Sequence, residues 1–375
     1  MKRALPEAEQ VLTKKAKGTL DKPYKVVDLY CGSGGISLGF SNAGFCVVLG
    51  IDMDKDSIST YRSNFSSANV AIMDVSLLNK DLLYKMAGLS ENEELDVMVA
   101  GPPCQGFSRQ NKNRENEDQR EGGSRNEQVV FTARLISQVN PKMFMLENVP
   151  NLNSKQGRDY LNFFSEILSN YTMKGSIFNA ADYGVPQNRK RYIIIGVRND
   201  LQVEFQEPEK TFTPSNYRTI RHAFHGLTEP PSDESDDTKF ANHALQKLSR
   251  ENVERLKHIP PGGGFRDLPQ ELMYECQKKS GRDCGWGDVF GRLDWSKPSP
   301  TITTGCYSIS KGRFAHPVKN RGITMREAAR IQSYPDSFVF KGSRKSVARQ
   351  IGNSVPPLLA TSLAQAVKRT LDTIE

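Results

Sequence analysis

The stretch KVVDLYCGSGGISLGF (25–40) joins an apolar run to a glycine-rich turn and the start of a helix. Residues 25–30 read as a buried strand. Gly32, Gly34 and Gly35 permit a tight turn and a close approach of ligand to backbone. Residues 35–44 read as a short helix ending at Gly44. The alternation continues outward. FCVVLGID (45–52) is the next strand, with a helix over DKDSISTYRSNF after it. VAIMD (70–74), LDVMVA (95–100), KMFMLEN (142–148) and RYIIIGVR (191–198) are further apolar runs of strand length. NEQVVFTARLISQV (126–139) and RDYLNFFSEILSN (158–170) carry helical periodicity. Apolar strands alternating with helices predict an α/β fold, a doubly wound and mostly parallel sheet covered on both faces.

The strand ends are polar. Asp28 closes the first strand, Asp52 the second, about twenty residues later, and Asp74 the third. In an open parallel sheet, ligands bind at the carboxyl ends of strands, and an acidic residue on the second strand commonly holds ribose hydroxyls. These ends suggest an adenosine-bearing cofactor. The turn reads G-S-G-G-I-S rather than G-x-G-x-x-G. That spacing disfavours a dinucleotide and favours S-adenosylmethionine, which has no pyrophosphate to seat on a helix N-terminus. After the strand at 95–100 comes GPPCQGFSRQ (101–110), which holds Cys104 on a stiff, non-helical turn. Glu147 ends the strand at 142–148, and Arg189 and Arg191 enter the strand at 191–198 as alternate residues.

The chain has 375 residues, enough for two domains. Lys and Arg number 51 against 43 Asp and Glu, a net charge of +8 that suits a polyanionic partner. The six cysteines form no C-x-x-C and no zinc spacing, so reduced thiols and no metal are expected. Cys31 reads as a small filler of the glycine turn and Cys46 as a core residue. No apolar run approaches the ~20 residues of a membrane span, and MKRALPEAEQ does not read as a signal peptide. Residues 1–20 form a basic tail whose Lys2-Arg3 and KKAK (14–17) resemble a bipartite nuclear-import signal, or simply a solvated tail. After Asp200 the strand–helix alternation stops, and residues 201–320 are rich in Pro, Gly and charge. TMREAARIQ and a long amphipathic C-terminal helix follow.

In order along the chain stand DLYCGSGG, GIDMD, GPPCQGFS, ENV, QNRKR, KPSPTITT (297–304), RIQSYPD and QIGNSVPP. This series, from Val26 to the C-terminus, resembles the cytosine carbon-5 DNA methyltransferase family of the bacterial modification-methylase type. The resemblance implies a Rossmann-like S-adenosylmethionine-dependent catalytic domain over 21–200 plus 321–375, with a smaller irregular target-recognition domain over 201–320. It implies that Cys104 adds as thiolate to carbon 6 of cytosine, that Glu147 holds the ring's amino and nitrogen-3 edge, and that Arg189 and Arg191 hold the base carbonyl and a neighbouring phosphate. For the cofactor it carries over Tyr30, Gly32, Gly34 and Pro103, Asp52 on the ribose, Met53 on adenine, Asp74 near the adenine amino group, and Asn353 and Val355 at the methionine end.

The implied partner is double-stranded DNA, and the target nucleotide must be flipped out to be reached. The polar stretch 108–125 then resembles a lid over the DNA, with Ser108 or Gln110 as fillers of the vacated stack. One base is flipped per event, so a monomer suffices. No membrane is involved; the place of work is the cytoplasm beside the nucleoid in a bacterial host and the nucleus in a eukaryotic one. His222, His225 and His243 are expected in loops or facing DNA, and Arg266, Arg282 and Arg292 are candidates for base readout. Three other readings are an RNA cytosine carbon-5 methyltransferase acting on transfer RNA, a catalytically inactive DNA-binding relative, and a nicotinamide oxidoreductase. GPPCQGFS and the long 201–320 region favour DNA over RNA, intact Cys104, Glu147 and Arg191 favour activity, and the glycine spacing disfavours the nicotinamide enzyme.

Overall fold

The structure is a computed structural model that describes residues 23–103, 127–154, 157–278 and 287–374. Cys104, the stretch 108–125, the tail 1–20, Arg282 and Cys284 lie outside the described residues.

The strands β1 (Lys25–Leu29), β2 (Cys46–Asp52), β3 (Asn69–Ile72), β4 (Val97–Ala100), β5 (Met143–Asn148), β6 (Tyr171–Asn179) and β7 (Lys190–Arg198) form one sheet in the order β3-β2-β1-β4-β5-β7-β6. β1 to β5 pair with one another in parallel, and β7 runs antiparallel to both β5 and β6. Strand order reverses direction between β1 and β4, which opens the crevice where such sheets bind ligands.

Period-2 alternation sends apolar side chains to both faces. Val26, Val97, Val99, Met143, Met145, Ile193 and Ile195 share one core, while Val27, Leu29, Met98, Ala100, Phe144, Leu146 and Ile194 share the other. Helices α1 (Gly35–Asn42) and α2 (Lys55–Asn64) cover the first face. Helices α3 (Lys80–Ala87), α4 (Glu127–Val139) and α5 (Arg158–Ile167) cover the second. The start of α2 is fixed by Asp54, whose carboxylate accepts from the Ser57 N–H at 2.9 Å.

β6 is the one strand the sequence reading lacks. Its burial alternates irregularly and it pairs with β7 alone, so an exposed edge tolerates YTMKGSIFN without a clean apolar pattern. The C-terminal stretch forms α6 (Met325–Ile331), α7 (Arg344–Asn353) and α8 (Pro357–Leu371). A capping box between Thr324 and Glu327 starts α6, and Pro356 and Pro357 separate α7 from α8. α8 packs back on α1, so the first and last parts of the chain share one core. Contact is close: a Cβ added at Gly39 of α1 would lie 2.4 Å from Ala360 Cβ.

Between β7 and α6, Phe205, Ile220, Phe224, Leu293, Ile302 and Phe314 join the same core. A separate small cluster holds Leu256, Ile259, Phe265, Leu268, Phe290, Ile309 and Ala315.

Leu363 is fully buried in α8. Leu363→Ala is expected to cost about 3 kcal/mol in urea denaturation, the usual range for a buried leucine. A change below about 1 kcal/mol would show that α8 is not integral to the core.

Candidate active site

The turn after β1 is held open for a ligand by its own backbone. Tyr30 and Gly32 have φ of 56° and 51°, and a Cβ added at Gly32 would meet nothing within 4 Å. Asp52 fixes this shape. One carboxylate oxygen accepts from the Gly32 N–H at 2.9 Å, the other from the Asp54 N–H at 2.8 Å. Burial raises the Asp52 pKa, and these two N–H donors oppose the rise. Each oxygen keeps acceptor capacity for a ribose hydroxyl. Tyr30 is oriented by its hydroxyl, which donates to Gln128 Oε1 at 2.9 Å and accepts from Thr132 Oγ1 at 3.2 Å.

Beyond Asp52, Met53 is 68% exposed and Leu77 69% exposed, two large apolar side chains left uncovered near the ends of β2 and β3. Asp74 accepts from the Ser76 N–H at 2.9 Å through one oxygen. The residues therefore fit an adenosine-bearing cofactor: open space over a glycine, a carboxylate with spare acceptors and two bare apolar faces. Cys31 is buried, and burial, with Asp28 and Asp52 adding to it, pushes its thiol well above the usual range. It is inert filler, as its place in the turn suggested. Cys46 is only partly buried, short of the core place expected for it.

Across the crevice, β4 and β5 end side by side. Gly101 N–H donates to Leu29 O at 3.3 Å, and a Cβ added at Gly101 would lie 3.4 Å from Glu147 Oε2. Asn148 Nδ2 donates to Pro102 O at 3.4 Å. Glu147 pairs with Arg191, with Nε 2.7 Å from Oε1 and each side chain 13% exposed. Pro103, exposed, ends the described run, and Cys104 follows it in the sequence.

Arg189 occupies a different place from Arg191. It is fully buried and donates to Ile302 O at 2.9 Å and Gly352 O at 2.8 Å. Its guanidinium fastens the KPSPTITT and QIGNSVPP segments to the start of β7. Gln187 and Gln332 extend the fastening. Gln187 Nε2 donates to Gln332 Oε1 at 2.7 Å, and Gln187 Oε1 accepts from the Ile302 N–H at 2.8 Å. Gln332 Nε2 in turn donates to Ser354 O at 3.2 Å. The Tyr334 hydroxyl bridges Ser33 Oγ at 3.0 Å and Ser354 Oγ at 2.5 Å, riveting the glycine turn to the closing segment. Val355 is buried and Asn353 exposed. A Cβ added at Gly35 would lie 2.4 Å from Val355 O, so this segment abuts the turn. The sequence reading missed Gln187, Gln332 and Tyr334 as positioning residues, although all three lie inside the quoted motifs.

Two expectations for the intervening region are corrected. His243 lies in an irregular segment, as expected, but is fully buried there; its ring nitrogens bond Thr324 Oγ1 at 2.8 Å and Thr228 O at 2.9 Å, which removes it from any DNA-facing surface. Arg292 is also buried and donates to Leu256 O, Ile259 O, His316 O and Lys319 O, so it cannot read a base. His222 and Arg266 are exposed. Arg292→Met would strand the Leu256, Ile259 and His316 carbonyls, whose bonds are buried, and free that of Lys319. A stability loss of about 3 kcal/mol by denaturation is expected; a variant of unchanged stability with altered DNA preference would contradict the structural assignment.

Comparison with known proteins agrees with this geometry. The family model for C-5 cytosine-specific DNA methylase matches residues 24–369. The Type II methylase M.HgiDII of Herpetosiphon aurantiacus is 34% identical over 360 residues, covering 92% of this chain and 96% of that one. The Type II methyltransferase M1.HphI of Haemophilus parahaemolyticus is 33% identical over 345 residues, covering 91% and 86%. Among solved structures, a prophage-encoded putative DNA modification methyltransferase of E. coli superposes with a TM-score of 0.69 at 27% identity, covering 93% of this chain and 99% of that one. The match spans the glycine turn, both crevice walls and the closing segment: the chain belongs to the C-5 cytosine-specific DNA methylase family.

Proposed function

We propose that the protein transfers a methyl group from S-adenosylmethionine to carbon 5 of a flipped-out cytosine within a specific duplex DNA sequence. The observation that carries this reading is the Glu147–Arg191 pair, set against Gly101 just past the end of β4, three residues before Cys104 in the sequence, and across the crevice from the glycine turn.

Carbon 5 of cytosine is a weak nucleophile. Addition of the Cys104 thiolate to carbon 6 moves the ring electrons toward carbon 5 and nitrogen 3. Glu147 holds the nitrogen-3 and amino edge and shares a proton with the ring as charge develops there. Arg191 orients Glu147 through Nε and keeps N–H donors for the base carbonyl. When bound, S-adenosylmethionine supplies an electrophilic methyl group on a sulfonium. Carbon 5 gains the methyl, then loses its proton; the electron pair re-forms the double bond and expels Cys104 as thiolate. Asp52 holds the ribose, Met53 and Asp74 border the adenine, and Tyr30, Gly32, Gly34, Pro103, Asn353 and Val355 line the rest of the cofactor's course. Arg189 positions Asn353 and Val355 rather than touching substrate.

Residues 201–320 are assigned to target recognition, with exposed Arg266 as one candidate contact. The net charge of +8 suits DNA. No described helix is long and apolar enough to cross a membrane. The relatives are named Type II methylases, which supports reading this chain as the modification enzyme of a restriction–modification pair; one base flipped per event asks for no more than a monomer, and the place of work in this reading is the bacterial cytoplasm.

Methyl-labelled S-adenosylmethionine incubated with duplex DNA and with transfer RNA tests the reading: label enters duplex DNA at one sequence context. Label entering transfer RNA alone would overturn the substrate. Glu147→Gln is expected to lower kcat by ~10²–10⁴ with little change in duplex binding; full activity in that variant would remove Glu147 from the chemistry.

A further inference from the structure

We propose that Asp28 senses the sulfonium charge of the methyl donor, so that donor binding releases a proton that binding of the thioether product does not. This rests on the cofactor reading above.

Asp28 is anomalous in its strand. Alternation places it with Val26 on the buried face of β1, toward α1 and α2, where an apolar residue would pack. It is 1% exposed. One carboxylate oxygen accepts from Ser37 Oγ at 2.5 Å, and that hydroxyl also shares a hydrogen bond with Tyr61 OH at 2.6 Å. The other oxygen, Oδ1, is buried without a hydrogen-bond partner. The Ser37 backbone N–H also acts on the carboxylate, but a buried carboxylate supported by a single residue is costly, and such a group is favoured to stay protonated until a positive charge arrives.

Its position suits such a charge. Asp28 interacts electrostatically with groups on both sides of the glycine turn: Asp52, on the proposed ribose side, and Tyr334, whose hydroxyl joins Ser33 of the turn to Ser354 beside Val355 on the proposed methionine side. A cation bound over that turn would act on Asp28 as they do.

The titratable neighbours are Asp52 on β2, Cys31 in the turn, Tyr61 on α2 and Tyr334 before α7. Asp28 pairs along the sheet with Gly50 and Val99, which carry no charge. Burial raises Tyr61 and Cys31 well above their usual values and Tyr334 to about 12, so all three stay neutral near pH 7. Arg189 acts on Tyr334, and burial lowers its own pKa well below the usual arginine value. Burial, opposed by Ser37 and aided by Asp52, lifts Asp28 to about 7.

The sign follows. Near pH 7 the free protein holds Asp28 partly protonated. An added positive charge favours the carboxylate and lowers its pKa, so donor binding expels a proton and tightens as pH rises from about 6 to 8. The thioether product keeps the ammonium but lacks the sulfonium, so its affinity depends less on pH. A one-unit drop from about 7 would release ~0.4 proton at pH 7 and change the donor-to-product affinity ratio ~5-fold across that range. The product is thereby released more readily at higher pH relative to fresh donor.

Titration calorimetry of the full chain at pH 7, in buffers of differing ionisation enthalpy, reads the protons released on binding S-adenosylmethionine and S-adenosylhomocysteine. Wild type is expected to release more with the donor, and Asp28→Asn to bind both ligands with that difference abolished. The variant also subtracts protons from the ligands' own ammonium groups. Ser37→Ala, which removes the hydroxyl donor to Asp28, is expected to move the pH midpoint of the affinity ratio upward and keeps the test open if Asp28→Asn does not fold. Equal release by both ligands in wild type, or a difference that persists in Asp28→Asn, overturns the proposal alone. Failure of wild type to bind either ligand overturns the cofactor reading and this proposal with it.

Discussion

The active site depends on β7 running antiparallel beside β5. A parallel strand would begin at the far end of the sheet. Because β7 enters from the ligand end, its first residues lie beside the last residues of β5, and Arg191 reaches Glu147 at 2.7 Å. The same entry point puts Arg189 one step earlier, where its guanidinium binds main-chain oxygens from two distant segments. One strand reversal thus supplies an arginine to the carboxylate that would meet the base, and a second arginine to the frame that surrounds it.

That frame explains why distant parts of the chain are interdependent. The closing segment after α7 is fixed by Arg189 and Gln332 from below and by Tyr334 from the glycine turn. α8 then buries its apolar face on α1, the helix that the glycine turn begins. Buried hydrogen bonds of this kind contribute only about 1 kcal/mol each to stability, but an unmatched partner costs more, so they specify one arrangement more than they strengthen it. The cofactor turn inherits its shape from this network and from Asp52.

Much of this was legible in the sequence because both sheet faces are apolar. Runs such as LDVMVA and RYIIIGVR have no reading except a covered strand or a buried helix, and their length decides for the strand. Edge strand β6 escaped because exposure removes the pattern. Asp52 and Glu147 were visible as polar residues at the ends of apolar runs, a position that structure alone rarely demands. The arginines were harder. Arg189, Arg191 and Arg292 differ in no local feature that separates a charge facing substrate from one spent on carbonyls; only the packing of distant segments makes that distinction. His243 misled for the same reason, since its partners Thr228 and Thr324 come from either side of the region. Asp28 looked like an ordinary strand-end carboxylate, and its missing partner appears only in three dimensions.

The central claim is that chemistry passes through a covalent bond at Cys104. A duplex carrying 5-fluorocytosine at the methylated position blocks the final proton loss, so the adduct accumulates. Denaturation, digestion and mass spectrometry of the complex should find the modified nucleotide, with its added methyl group, on the peptide that contains Cys104. Attachment to another residue, or methylated product with no trapped adduct, would contradict the account.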